Sequence, residues 1–209
     1  MMIVKNIEEL DTRRCKIFLD DQSSFVLYKK EVAEYGIGKN RVLEMEEYCK
    51  IIKEILPKRA KKRALYLLQK RPYTEQKLRE KLQEGGYPSL VIDEAIDYVK
   101  DYHYIDDLAY AREYVFFHKE KLPKKMIQDK LRNKGVGKDE LYRVFQEAYQ
   151  DRMEEEELQL KQARALLEKR SYNRENPEPK EVQKNYAYLM GKGFSTSVIR
   201  KVLREKSDY

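Results

Sequence analysis

The chain has 209 residues, 39% of them charged, with 44 Lys+Arg against 37 Asp+Glu, eight glycines, six prolines and no tryptophan. That length admits one ordinary domain, two small ones or an array of short repeats, while the wealth of helix formers and the few breakers point to a mainly α-helical protein. No apolar run approaches the ~18–20 residues that span a bilayer, and the start carries no apolar signal-peptide core. Cys15 and Cys49 form no CxxC pair, so a soluble cytoplasmic protein with free thiols is expected rather than a disulfide framework.

Residues 1–56 differ from the rest. "RRCKIFLDDQSSFVLYKK" holds two β-prone runs around Asp20-Asp21-Gln22, the pattern of a hairpin. A lone hairpin is marginal in water, so these strands are expected to join "MMIVKNI" in a small sheet. "EVAEYGIGKN" reads as a short helix closed by Gly36, and "LEMEEYCKIIKEIL" as a helix that Pro57 stops. The segment is thus a small α+β unit.

The remainder repeats. "KLQEGGYPSLVIDEAI" from Lys81, "KLRNKGVGKDELYRVF" from Lys130 and "YLMGKGFSTSVIRKVL" from Tyr188 each place a leucine four residues before a glycine, namely Gly86, Gly135 and Gly193. An apolar residue follows each glycine (Tyr87, Val136, Phe194), and an aliphatic one comes five positions later (Ile92, Leu141, Ile199). This is a helix, a glycine C-cap, an apolar residue packing back on the last turn, and a second helix. A further amphipathic stretch precedes each pair, so the unit is three helices repeated three times, at a spacing of roughly fifty residues. Expected boundaries are 57–105, 106–150 and 151–209. Neighbouring units should share apolar surface in an elongated, curved array, since one alone buries little. Prolines mark the second-helix starts, and Thr74 suits an N-cap.

The net charge is +7, and it is unevenly spread. Lys58 to Arg71, "KRAKKRALYLLQKR", has no acidic residue; Lys121 to Lys138, "KLPKKMIQDKLRNKGVGK", has only Asp129; "DRMEEEELQL" from Asp151 is acidic. In the first run Ala60, Ala64, Leu67 and Leu68 form an apolar stripe that leaves Arg59, Lys62, Arg63 and Lys70 elsewhere. A polyanion-facing surface is expected from Lys58, Arg59, Lys61, Lys62, Arg63, Lys70 and Arg71, with Lys124, Lys125, Lys130, Arg132 and Lys134 of the second run. The competing outcome is neutralisation by the glutamates at 154 to 157.

Asp106 and Asp107, beside His103, are the nearest thing to a metal or catalytic pair. They have a simpler use: Asp106 at the N-cap and Asp107 in the first turn of the next helix. Tyr104, Tyr110 and Tyr114 could stack on bases but at helical spacing read as core residues, and of Phe116 and Phe117 at most one needs full burial. The sequence offers no nucleophile triad, phosphate-binding glycine loop or zinc spacing, so a non-enzymatic protein without cofactor or metal is expected.

Two stretches carry a family resemblance. "YLLQKRPYTEQKLREKLQEGGYPSLVIDEAIDYVKDYHYIDDLAYAREYV", ending at Val115, and the "LPKKMIQDKLRNKGV" that follows it resemble the bacterial RecX regulatory proteins, over about residues 60 to 205. The shared order is an R-x-Y-(S/T)-x-x-x-L-x-x-K-L run, the glycine turn, a Y-I-D-D-x-x-Y-A junction and a proline-lysine helix. The resemblance implies a monomeric modulator, most often an inhibitor, of the RecA recombinase. Such a protein binds the RecA filament on single-stranded DNA, and DNA itself, and restrains filament growth, ATP hydrolysis and strand exchange in recombination, repair and the SOS response. His103 stands where the family commonly has glycine, and no role carries over to residues 1–56. Two other readings remain: a stand-alone helix-turn-helix reader of duplex DNA, and a helical scaffold for another protein.

Overall fold

The computed structural model describes residues 1–173 and 175–204. Arg174, in the long connection of the third repeat, and 205–209, the end of its expected span, lie outside the described residues. The chain divides into two compact units, Met1–Asp106 and Asp107–Tyr209.

The first unit opens with a four-stranded antiparallel sheet, β1 (Met2–Glu9), β2 (Arg14–Leu19), β3 (Ser24–Tyr28) and β4 (Val42–Leu43), in the order β3-β2-β1-β4. The expected hairpin is β2–β3, with Cys15, Ile17 and Leu19 buried on alternate positions of β2. Gln22 takes the left-handed φ of +68° that its turn requires. The two-residue strand β4, which the sequence does not announce, pairs with the start of β1. Helix α1 (Lys29–Glu34) ends as expected before Gly36, at φ +57°.

Pro57 does not stop the next helix. Helix α2 (Met45–Lys50) runs through a π-helical segment, Ile51–Ile55, into α3 (Leu56–Lys70), and Pro57 sits in the first turn of α3. Proline lacks an N–H and its ring collides with the carbonyl four residues back. The wider π turn immediately upstream is a known means of absorbing such a break without ending the helix.

Helices α4 (Glu75–Glu84) and α5 (Ser89–Asp101) complete the first three-helix set. Thr74, only 1% exposed, caps α4 by accepting the Lys77 N–H at 3.3 Å. One apolar core runs from Val4 in the sheet to Ile105, taking in Leu56, Ala60, Ala64 and Leu67 of α3. The N-terminal segment and the first set are therefore one folding body.

The second unit holds α6 (Asp107–His118), α7 (Lys124–Asn133) and α8 (Lys138–Ala148), then α9 (Arg152–Glu168), α10 (Pro179–Lys192) and α11 (Thr196–Arg204). Sharing of apolar surface stops here: these two sets bury separate clusters, one around Ile127, Leu131 and Phe145 and one around Leu167, Leu189 and Ile199. Polar bonds join them. The buried Gln162 side-chain amide of α9 donates to the Lys119 and Leu122 carbonyls, and Lys124 pairs with Glu155 at 2.9 Å.

The glycine turns fall where the leucine-glycine spacing places them. Gly86, Gly135 and Gly193 have φ of +79°, +88° and +91°. In each, the glycine N–H and the next N–H donate back to the helix in the Schellman pattern, as in Gly86 to Gln83 and Tyr87 to Leu82. His103 does the same at φ +55°, with Tyr104 N–H donating to the Val99 carbonyl, so histidine adopts the glycine conformation at that junction. Ser171 repeats it at φ +52°, ahead of the buried Tyr172, with no glycine to signal it.

Candidate nucleic-acid interface

Helix α3 explains which cations reach its surface. With Leu56, Ala60, Ala64 and Leu67 facing the core, a 3.6-residue turn sets Lys58, Lys62, Tyr66, Arg59, Lys70 and Arg63 within an arc of about 140° that runs from the side opposite the core round to its Leu56 flank. Within it Lys58, Lys62, Arg63 and Lys70 are exposed, and none has a carboxylate partner among the described residues. Tyr66, 51% exposed, lies between two of them: the Arg63 guanidinium and the Lys70 ammonium each stand 5.5 Å from its ring centroid. Arg71, just past the helix, is exposed and stacks on Tyr73 at 4.7 Å.

Two members of the first run are committed to the fold. Arg59 is half-buried, ion-paired to Glu31, 4.4 Å from the Tyr28 ring centroid, and within reach of the Val26 carbonyl. Lys61 pairs with Glu94 at 2.7 Å and lies over Tyr98. They tie α3 to the sheet side and to α5 respectively.

The second run is spent differently. Lys124 is held by Glu155 and lies 4.6 Å from the centroid of the Tyr149 ring, whose burial pushes its hydroxyl up to about 12. Lys125, though exposed, has its stem against Gly193. Arg132 pairs with Asp129 at 3.1 Å, and Lys134 lies over both Tyr110 and Tyr114. Lys130 is exposed, with no carboxylate partner among the described residues.

The junction residues sit where helix punctuation puts them. Helix α6 starts at Asp107, in its first turn, with Asp106 immediately before it. Among the described residues no group of three His, Cys, Asp or Glu side chains could hold a metal ion, and no helix is long and apolar enough to cross a membrane. Cys15 and Cys49 are both free thiols.

The aromatic expectations divide. Tyr110 and Tyr114 pack against the second set's core and stack in line with His118, but Tyr104 is exposed and stacks on the exposed Tyr102 at 6.0 Å. The Schellman turn explains this: it sends the chain back over α5 and buries Ile105 rather than its neighbour. Phe116 and Phe117 are 70% and 65% exposed, so neither is a core residue. Tyr66 is the candidate residue that charge counting passes over; the signal is its spacing, three residues after Arg63 and four before Lys70.

Comparison with known proteins bears on the whole chain. Residues 60–98 match the family description "RecX, first three-helix domain", and residues 156–203 match "RecX, third three-helix domain". The "Regulatory protein RecX" of Caldanaerobacter subterraneus subsp. tengcongensis is 28% identical over 207 residues, 97% of this chain and 98% of that protein. That of Clostridium acetobutylicum is 29% identical, covering 92% of this chain and 89% of the relative. A crystal structure of regulatory protein RecX superposes with a TM-score of 0.63 at 25% identity, over 98% of this chain and 100% of the other. The structure of RecX from Lactobacillus salivarius shares the fold over 72% of this chain and 96% of its own, with a TM-score of 0.57. The likeness thus reaches into the N-terminal sheet segment. With both three-helix descriptions matched in order and relatives of this name aligned nearly end to end, the chain is similar to RecX regulatory proteins along nearly its whole length.

Proposed function

We propose that this protein is a non-enzymatic modulator of the RecA recombinase, most often inhibiting it. It binds the RecA filament on single-stranded DNA, and DNA itself, and so limits filament growth, ATP hydrolysis and strand exchange. In this reading it acts in the cytoplasm as a monomer, with single-stranded DNA as its main nucleic-acid ligand and duplex DNA a further one. The three three-helix sets, 57–105, 106–150 and 151–209, serve as its modules.

One observation carries the reading within the family: Lys62, Arg63 and Lys70 surround the exposed Tyr66 on one face of α3 without carboxylate partners among the described residues. Like charges held together on a rigid helix repel one another, and a phosphate backbone relieves this while releasing its condensed counterions. The arginine offers a planar fork to phosphate oxygens, the lysines offer point charges, and the tyrosine ring offers a stacking face to an unstacked base. Occupying the strand in this way competes with addition of recombinase subunits.

The test is RecA ATPase on single-stranded DNA over a salt series, with the wild-type chain and with K62E/R63E/K70E. Wild type should lower the steady-state rate in a salt-sensitive manner, and the triple variant should lose most of that effect while keeping its fold. An ATPase rate that wild type leaves unchanged at stoichiometric amounts contradicts the reading. Selective duplex binding without any effect on RecA would favour the helix-turn-helix alternative instead.

A further inference from the structure

The basic arc of α3 does not end at the helix. Along its Arg59–Arg63 edge a groove of about 520 Å³ opens between α3, the β-hairpin and the turn joining α4 to α5. Its walls carry Arg13 from the β1–β2 turn, Arg14 from the start of β2, Arg59 and Arg63 from α3, and Lys81 from α4. Against these five cations the groove itself sets Asp11 and Glu84.

Both carboxylates are engaged locally. Asp11 pairs with Arg14 at 2.8 Å and accepts the Arg13 and Arg14 backbone N–H groups, while Glu84 pairs with Lys81 at 2.6 Å. Arg59 is taken by Glu31. That leaves Arg13, exposed at the rim, and Arg63, with no carboxylate partner among the described residues. Deeper in, the charges of Arg59, Arg63 and Arg14 bear on the Tyr87 hydroxyl, although burial, the larger influence, raises its pKa.

The walls are also fixed. Gly86 approaches Val26 of β3 so closely that a Cβ there would lie 2.1 Å from the valine Cγ2, so the hairpin and the α4–α5 turn are in backbone-to-side-chain contact. Arg59 of α3 in turn reaches the Val26 carbonyl and pairs with Glu31, so the backbones that carry Arg13 and Arg63 belong to one frame, which lowers the ordering cost for a phosphate that bridges them.

We infer that this groove is a phosphate site for the backbone of a nucleic-acid strand that continues off the α3 face, with Arg13 and Arg63 as its donors. The inference rests on the nucleic-acid reading above and gives residues 1–56 a part in binding. A nucleic-acid backbone is favoured over a free anion because Arg63 belongs both to the groove and to the open α3 arc, so one strand can follow both.

The test uses the full chain and a labelled oligothymidylate, with affinity measured over a salt series for wild type, Arg13→Ala, Arg13→Lys and Lys62→Ala. Arg13→Ala should make the plot of log affinity against log salt shallower by about 0.7, the loss of one phosphate contact on a single strand. Arg13→Lys should keep that slope even if it weakens binding, because the slope counts phosphates neutralised and lysine keeps the charge. If Arg13→Ala matches wild type while Lys62→Ala loses its share, the groove assignment falls and the nucleic-acid reading stands. If wild type fails to bind the oligonucleotide, both fall. A slope reduced equally by Arg13→Lys marks a merely structural arginine, and Arg13-dependent binding of a nucleoside triphosphate with unchanged oligonucleotide binding marks a small-anion site; either overturns the assignment.

Discussion

The two basic runs, Lys58–Arg71 and Lys121–Lys138, read alike as sequence and end differently in the fold. In the first, Arg59 and Lys61 are drawn inward to Glu31 and Glu94, and Lys62, Arg63 and Lys70 are left outward around Tyr66. In the second, Lys124, Arg132 and Lys134 are each held by a carboxylate or tyrosine ring of their own unit; Lys121, Lys125, Lys130 and Lys138 are exposed without a carboxylate partner among the described residues, but none of them flanks an exposed ring as the α3 cations flank Tyr66. A run of like charge along the chain therefore gives the sign of a surface but not its availability. Availability depends on which carboxylates the tertiary fold brings near, and those come from 28 to 33 residues away in the pairs Arg59–Glu31, Lys61–Glu94 and Lys124–Glu155.

The largest expected effect concerns the frame that presents the open face. Gly86→Ala adds a left-handed-conformation cost to a clash with Val26, and should destabilise the first unit by about 3 kcal/mol, measured by denaturant unfolding. Gly36→Ala meets nothing within 4 Å and should cost about 1 kcal/mol, the conformational part alone. Equal losses at the two glycines would mean that the sheet is not clamped to the α4–α5 turn, and that the first run owes its open face to something else.

A smaller effect separates structural from available charge. Burial acts to raise the Glu75 pKa, but hydrogen bonds from Lys100 and Arg79 outweigh it and hold the carboxyl below its ordinary 4.5. A carboxylate whose folded pKa is depressed contributes stability that is present above its unfolded value and is lost as pH falls through the folded one. Glu75→Gln should therefore cost about 1 kcal/mol at neutral pH and progressively less below about pH 4.5, with no change in nucleic-acid affinity. A matched loss of affinity would dissolve the distinction between paired and open cations in this unit.

The smallest effect is at the junction. His103→Gly removes the left-handed cost of a non-glycine residue but adds unfolded-state freedom, leaving a net stabilisation of about 0.5 kcal/mol in thermal unfolding. A destabilised variant would show that the imidazole makes contacts beyond its backbone conformation.

Much of the fold could be read from the chain because its signals are local. A leucine four residues before a glycine is enough to place three Schellman turns, and Thr74 announces its own cap. The turn at Ser171 was not legible, since serine does not advertise a left-handed conformation, and the π segment before Pro57 was not, since proline more commonly ends a helix than widens it. The site was legible as far as its charge and not in its geometry. Nothing in "KRAKKRALYLLQKR" tells which cations Glu31 and Glu94 will take, or that the β1–β2 turn contributes Arg13 to the groove that Arg63 lines.

The most direct measurement compares neutralisation of the two runs: K62Q/R63Q/K70Q against K124Q/R132Q/K134Q, each checked for fold, in single-stranded DNA affinity over a salt series. The contrast between the runs predicts that the α3 variant flattens the salt slope by about 2, three contacts at about 0.7 each, while the second-run variant leaves it close to wild type. Equal flattening by both, or a larger loss from the second run, would contradict it.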